Sequence, residues 1–119
     1  MKKLVLLPFT IVLLITPVLA YKQADLDKLR ATNKCARCDL RGADLSNAHL
    51  RKAELHEADL SEANLPGVDL SEAILYKASL YKANLYGANL KKADLKRANL
   101  FNALLLSLIH ISEPTRHLF

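Results

Sequence analysis

Residues 38–105 read CDLRG ADLSN AHLRK AELHE ADLSE ANLPG VDLSE AILYK ASLYK ANLYG ANLKK ADLKR ANLFN ALL, with leucine at every fifth position from Leu40 to Leu105. Two residues before each leucine stands alanine, from Ala43 to Ala103, with Cys38 and Val68 as the only substitutes. The residue between them is usually Asp or Asn, as in Ala58-Asp59-Leu60 and Ala83-Asn84-Leu85. A fixed internal period sets the architecture before any local propensity does.

Five fits neither regular element. On an α-helix five residues advance the chain by about 500°, so successive leucines would spiral around the rod instead of forming a stripe. On a continuous strand an odd period would throw each leucine to the opposite face. Alanine and leucine two apart share a face only for the length of one short strand, so a turn must absorb the remaining residues once per repeat. Each unit then reads Ala in, Asp/Asn out, Leu in, and two residues out at a corner. Repeated corners close the chain into a β-solenoid whose lumen is filled by leucine and alanine.

The unit Ala-Asp/Asn-Leu-X-X, as in Ala58-Asp59-Leu60-Ser61-Glu62 and Ala88-Asn89-Leu90-Lys91-Lys92, resembles the pentapeptide-repeat family. The resemblance implies an all-β solenoid, a right-handed quadrilateral β-helix with four pentapeptides per coil. That architecture serves several roles in the family, so the fold does not by itself give a function.

Upstream of the repeats, residues 1–20 read as a signal peptide. Lys2 and Lys3 precede an apolar stretch from Leu4 to Ile15, and Val18-Leu19-Ala20 fits a small-residue cleavage site. The competing reading, an uncleaved anchor, has to span a bilayer with a short run broken by Pro8 and Pro17. Tyr21 would follow the cut, so the cysteine of a bacterial lipoprotein anchor is missing. The expectation is an exported protein, periplasmic or secreted, that meets the membrane only through this segment before cleavage.

Residues 21–37 break the five-residue rule. Leu26 and Leu29, among Ala24, Asp25, Asp27 and Lys28, predict one short amphipathic helix capping the open first coil. Cys35 and Cys38 follow at the solenoid entry. A redox pair would need a thioredoxin-like βαβ context that this chain lacks. A zinc site would need two further ligands, and His49 and His56 occupy outward slots of separate repeats. In register Cys35 takes a leucine slot and Cys38 an alanine slot, so both point inward as small core residues. Export would allow a disulfide between them.

With four repeats per coil, residues twenty apart stack about 4.8 Å from one another. Outward charges then form ladders: Lys52, Glu72 and Lys92; Glu57, Lys77 and Arg97; Glu62 and Lys82. The same register sets Tyr81 beside Phe101 and Tyr76 beside Lys96. Corners with Gly or Asn, such as Pro66-Gly67, Arg41-Gly42 and Ser46-Asn47, supply the positive φ of a type II turn, whereas Lys91-Lys92 is expected to turn differently.

The whole chain carries 17 basic and 12 acidic residues; setting aside Lys2, Lys3, Glu113 and Arg116, residues 21–105 hold 14 and 11, a net of +3. The charge is uneven. Residues 38–75 carry Asp39, Asp44, Glu54, Glu57, Asp59, Glu62, Asp69 and Glu72, whereas residues 76–105 carry Asp94 alone among acids. Tyr76, Lys77, Tyr81, Lys91, Lys92, Lys96, Arg97 and Phe101 form a candidate interaction surface that an anionic polymer, such as a cell-envelope polysaccharide or nucleic acid, would suit, nucleic acid being the less expected partner of an exported chain. An ordinary solvated face is the competing reading. No nucleophile stands beside a histidine, no paired carboxylates mark a cleft, and a filled lumen leaves no pocket. The chain therefore reads as a non-enzyme without cofactor or metal, acting as an exported structural or protein-interaction scaffold. The family's DNA-mimic class, which modulates type II topoisomerases in the cytoplasm through an acidic surface, is a third reading. The export signal and the basic second half both depart from it.

Beyond Leu105 the period stops. Leu106 to Arg116 resembles, residue for residue, the translation of a transposase adapter used in making sequencing libraries. Residues 106–119 are accordingly expected to be non-native, with further coils and a cap belonging to the authentic protein.

Overall fold

A computed structural model describes residues 21–106; the signal segment and all but the first residue of the proposed foreign tail lie outside the described residues. The chain enters through one helix, α1 (Gln23–Thr32), and then winds without another helix to its last described residue.

The winding is fixed by its backbone hydrogen bonds. Every parallel bridge joins a residue to the one twenty positions on: Asp39 to Asp59, Asp44 to Asn64, His49 to Asp69, Glu54 to Ile74, and onward to Asn84 with Leu104. One coil is therefore four pentapeptides, and the rod has four sides. Side one carries Lys34, Glu54, Ile74 and Asp94; side two Asp39, Asp59, Ser79 and Asn99; side three Asp44, Asn64, Asn84 and Leu104; side four His49, Asp69 and Asn89. Each side is only Ala-X-Leu long. Among the described residues its β character is confined to a bridge at the middle residue.

Within a repeat the bonding is regular. Asn64 N donates to Ala43 O on the preceding coil (2.9 Å), and Leu65 N to Asn84 O on the following one (2.8 Å). At the corner Gly67 N donates to Tyr86 O (2.8 Å), while Ala63 N closes the previous corner onto Leu60 O (3.0 Å). Only the bond between an alanine N–H and the preceding leucine carbonyl stays within the coil; the other backbone groups of a side are met by neighbouring coils, which is why repeats this short can be stable only as a stack.

The lumen holds the two periodic columns. Leu40, Leu55, Leu60, Leu65, Leu70, Leu75, Leu80, Leu85 and Leu90 have no exposed surface, and the alanines from Ala53 to Ala93, with Val68, are buried beside them. Burying a leucine contributes roughly 1.5–3 kcal/mol, so the column is the main source of cohesion.

The Asp/Asn preference has a local cause. The carboxylate or amide oxygen accepts the backbone N–H two residues on, at the corner: Asp59 from Ser61 (3.0 Å), Asn84 from Tyr86 (3.0 Å), Asn89 from Lys91 (3.0 Å) and Asn99 from Phe101 (3.0 Å). Short Asx side chains are suited to this reach. At Pro66 there is no corner N–H, and Asn64 turns its amide to the neighbouring coils instead, donating to Ser46 Oγ and accepting from Asn84 Nδ2.

The corners depart from one expectation. All of them share one conformation, irrespective of residue type. The second corner residue has φ near +60° whether it is glycine (Gly42, Gly67, Gly87), asparagine (Asn47, Asn102) or a long charged residue, as at Glu57, Glu62, Lys77, Lys82 and Arg97. Lys92, expected to turn differently, has φ 59°. The stack supports this: from Arg37 to Gly87 the N–H of each such residue donates to the next coil, Glu62 N to Tyr81 O at 2.7 Å and Lys82 N to Phe101 O at 3.0 Å, so the left-handed conformation aligns the corner for inter-coil bonding.

α1 closes the first coil, burying Leu26 and Leu29 on the end of the leucine column. It also supplies what a preceding coil would. Asp25 Oδ2 accepts Asp39 N (2.7 Å), Lys22 N donates to Asp39 O (3.1 Å), and Asn33 Nδ2 donates to Arg51 O (2.8 Å). Asn33 ends the helix at φ 61°, its N–H on Leu29 O.

Candidate functional site

Cys35 and Cys38 lie buried at the entry in the leucine and alanine slots and are joined by a disulfide, Cα to Cα 5.3 Å. Cys38 N closes the turn on Cys35 O at 3.2 Å, and Cys35 Sγ lies 3.2 Å from Asp25 O of α1. The pair is a clasp within the core between cap and first coil. His49 and His56 lie on different sides of the rod, and among the described residues no group of three or more His, Cys, Asp or Glu could hold a metal ion.

The outer charges form layers. The second corner residues of one coil are Arg37, Gly42, Asn47 and Lys52; of the next, Glu57, Glu62, Gly67 and Glu72; of the third, Lys77, Lys82, Gly87 and Lys92; and the fourth begins with Arg97 and Asn102. Two of the three glutamates in that layer are answered from below, Glu57 by Arg37 Nη2 at 3.2 Å and Glu72 by Arg51 Nη2 at 2.7 Å, while Glu62 stands over Gly42. The second pair corrects the expected Lys52–Glu72 ladder. Arg51 sits one residue earlier in the corner, and its longer stem and planar fork reach the carboxylate diagonally. These pairs are solvent-exposed and add little to stability.

Above the glutamates the alternation fails, because the lysine layer is followed by Lys96 and Arg97 instead of acids. Lys77, Lys82, Lys96 and Arg97 are exposed, and none enters an ion pair among the described residues. Two lysines lean back on the tyrosine before them: Lys77 Nζ is 5.4 Å from the Tyr76 ring centroid and Lys82 Nζ 5.3 Å from that of Tyr81. The expected Tyr76–Lys96 contact is thus replaced by Tyr76–Lys77, since the adjacent ammonium reaches the ring without crossing to another coil. Tyr81 and Phe101 stack across coils as the register implied, 6.2 Å apart and 5° from parallel.

The candidate surface therefore divides. Tyr76, Lys77, Lys96 and Arg97 share the corner between sides one and two, and Tyr81 and Phe101 occupy the corner between sides two and three. Lys91 and Lys92 stand across side one, beyond Ile74 and Asp94, in a polar hollow of about 300 Å³ shared with Arg51, Asp69, Ser71, Glu72 and Asn89. That hollow brings its own acids. Sequence reasoning left Lys82 out of the surface; the signal that could have found it is the dipeptide Tyr-Lys, repeated at 76–77 and 81–82.

Three carboxyls are held below the ordinary range: Asp39 by its side-chain bond to Arg41, Asp44 by Ser46 and Asp69 by Ser71. All are Asx acceptors facing their own corner residues, so the shifts belong to the fold and mark no catalytic acid or base. A second hollow, about 510 Å³, lies between α1 and the first coil, bordered by Arg30, Asn33, Asp44, Ala48 and His49.

The profile of the family described as Pentapeptide repeats matches residues 38–76 and 63–102, with eight copies. Among solved structures, a pentapeptide-repeat protein of Nostoc Pcc 7120 is similar at 32% identity, TM-score 0.67, over 78% of this chain and 78% of that one. A pentapeptide-repeat protein of the Arabidopsis thaliana thylakoid lumen shares 28% identity, TM-score 0.39, over 68% of this chain and 57% of that one. HetL of Nostoc sp. strain PCC 7120, described as involved in heterocyst differentiation regulation, shares 33% identity, TM-score 0.33, over 65% and 48%. A search of curated protein sequences gives no match.

Proposed function

This chain belongs to the pentapeptide-repeat family, and we propose that it is a non-catalytic, exported scaffold: a right-handed quadrilateral rod that presents fixed side chains to a partner in the periplasm or outside the cell. The observation that carries this reading is the lumen. Leucine, alanine and valine fill it from Cys38 to Leu95, so chemistry and recognition are left to the outer sides. The outer side chains stand on a backbone fixed by three inter-coil hydrogen bonds per repeat, which suits recognition by a rigid surface at small entropic cost. A DNA-mimicking role has less support, because acid is concentrated between Asp39 and Glu72 and gives way to cations beyond.

Two measurements test it. The full chain expressed in a Gram-negative host should appear in the periplasm with Tyr21 as its first residue by intact mass; protein retained in the cytosol with Met1 would refute export. A photo-crosslinking residue placed in turn at Glu54, Ser79, Asn84 and Asn89, one per side, should give a discrete adduct from one side. Failure of every side would refute the scaffold reading.

A further inference from the structure

We propose that side two of the third and fourth coils, with the corners that flank it, is a binding surface for an acidic polysaccharide. Four observations place it there. First, Lys77, Lys82, Lys96 and Arg97 surround this side, and no carboxylate stands on it beyond Asp59: its middle residues are Ser79 and Asn99. Second, the charge is left over by the order of the layers. Of the glutamates on its flanking corners one coil below, Glu57 is met by Arg37, which leaves Glu62 alone against four cations, while Arg97 is stacked over Lys77 about 4.8 Å on, like on like. Such a juxtaposition costs stability in isolation and is relieved when an anion lies along the corner.

Third, two of the four cations are partly positioned before any ligand arrives, Lys77 and Lys82 each resting within 5.4 Å of a tyrosine ring centroid. The cost of fixing flexible lysines on binding is reduced accordingly. Fourth, hydrogen-bonding groups fill the space between the cations. Asn99 spends its Oδ1 on Phe101 N at 3.0 Å, leaving its Nδ2 as a donor, and the phenols of Tyr76 and Tyr81 flank it. Hydroxyl-rich acidic sugars use both kinds of contact.

The rings separate this ligand from single-stranded nucleic acid. Base binding depends on open aromatic faces. Here Tyr81 is stacked with Phe101, and both tyrosines already carry a lysine over the ring. A base would have to displace these contacts, whereas a sugar carboxylate or sulfate needs only the ammonium. Lys91 and Lys92 are excluded from the surface, since their hollow includes Asp69 and Glu72.

The test is fluorescence anisotropy of labelled polygalacturonate and labelled heparin against the purified protein, with a dT oligonucleotide of equal charge. Four contacts predict a log–log salt slope near 3 and roughly a fifty-fold weaker affinity at 200 mM than at 50 mM salt. Lys77→Gln with Arg97→Gln should about halve the slope, and Lys82→Gln with Lys96→Gln should do the same. Lys22→Gln with Lys28→Gln, at the N-cap of α1 and within it, should leave it unchanged. Melting curves show whether each variant is folded, and either cationic pair alone is enough to decide the test. Absence of glycan binding, equal loss in the α1 control, no loss in a folded cationic variant, or tighter binding of the oligonucleotide would each overturn the proposal. The photo-crosslinking result stands apart from all four, so the scaffold reading can survive the loss of this one.

Discussion

The charged corners offer the sharpest test of how this rod is held together. A left-handed φ costs an ordinary L-residue roughly 1–2 kcal/mol, and glycine escapes that cost while losing roughly 0.5–1 kcal/mol of backbone entropy on folding. Glu62 has φ 58° and no ion-pair partner among the described residues, so Glu62→Gly should stabilise the protein by about 0.5–1 kcal/mol. The reverse change divides by site. Gly87 has φ 69°, and a β-carbon there would meet only Gly67 N at 3.9 Å, so Gly87→Ala reports the backbone term alone, about 0.5–1 kcal/mol of loss. Gly67 has φ 67°, and its β-carbon would strike the Asn47 side-chain oxygen, so Gly67→Ala should cost more, by the displacement of that amide. Urea unfolding followed by circular dichroism orders the three against wild type. The reasoning is refuted if Glu62→Gly destabilises as much as Gly87→Ala. That result would mean the stack has already removed the conformational cost at the corner.

Three further outcomes follow from the same geometry. Leu75→Ala, at a site with no exposed surface, should cost about 2–5 kcal/mol and broaden the unfolding transition as the stack is interrupted, again read by urea titration. Reducing the Cys35–Cys38 disulfide should cost no more than about 2 kcal/mol, because the bridge closes a loop of sequence separation 3; a reductant-dependent melting curve measures it. Asp39, Asp44 and Asp69 have folded pKa values below their unfolded ones, so the unfolded chain binds more protons in acid. Their stabilisation is complete above the unfolded value of about 3.9 and is lost as pH falls through the lower folded values. Melting temperature should therefore be flat near neutrality and fall below about pH 4, and Asp44→Asn with Asp69→Asn should flatten the acid limb.

Much of this was legible in the sequence, for a reason that can be stated residue by residue. The inward leucines and alanines follow from the period itself, the twenty-residue register and with it the Tyr81–Phe101 stack from the four repeats per coil that the family resemblance implies, and the capping helix from the spacing of Leu26 and Leu29 where the period is broken. What could not be read was anything set by side-chain reach or by the stack acting back on one residue. Arg51 displaces Lys52 at Glu72, and Lys77 displaces Lys96 at Tyr76, because long side chains choose diagonal or adjacent partners that a column diagram omits. Lys92 takes a glycine-like φ because its coil position requires it, in spite of local turn preference.

That last point bears on how surface and fold are related in this protein. If the stack imposes one conformation on glycine, asparagine, glutamate, lysine and arginine alike, then the second corner residue is released from folding and can be chosen for its charge. The layers are consistent with such freedom: a cationic coil, an acidic coil, then two cationic coils in succession, on a backbone that does not change. The first two are paired at two corners, through Arg37–Glu57 and Arg51–Glu72, with Glu62 left without an ion-pair partner among the described residues. The last two do not, and no element of the fold demands Arg97 over Lys77, since Gly87 shows that a corner of the third coil folds without charge. A mild left-handed penalty at every charged corner is then retained for what those side chains do outside the rod. The glycine substitutions measure that penalty, and the salt-dependent binding measurement asks what it is retained for.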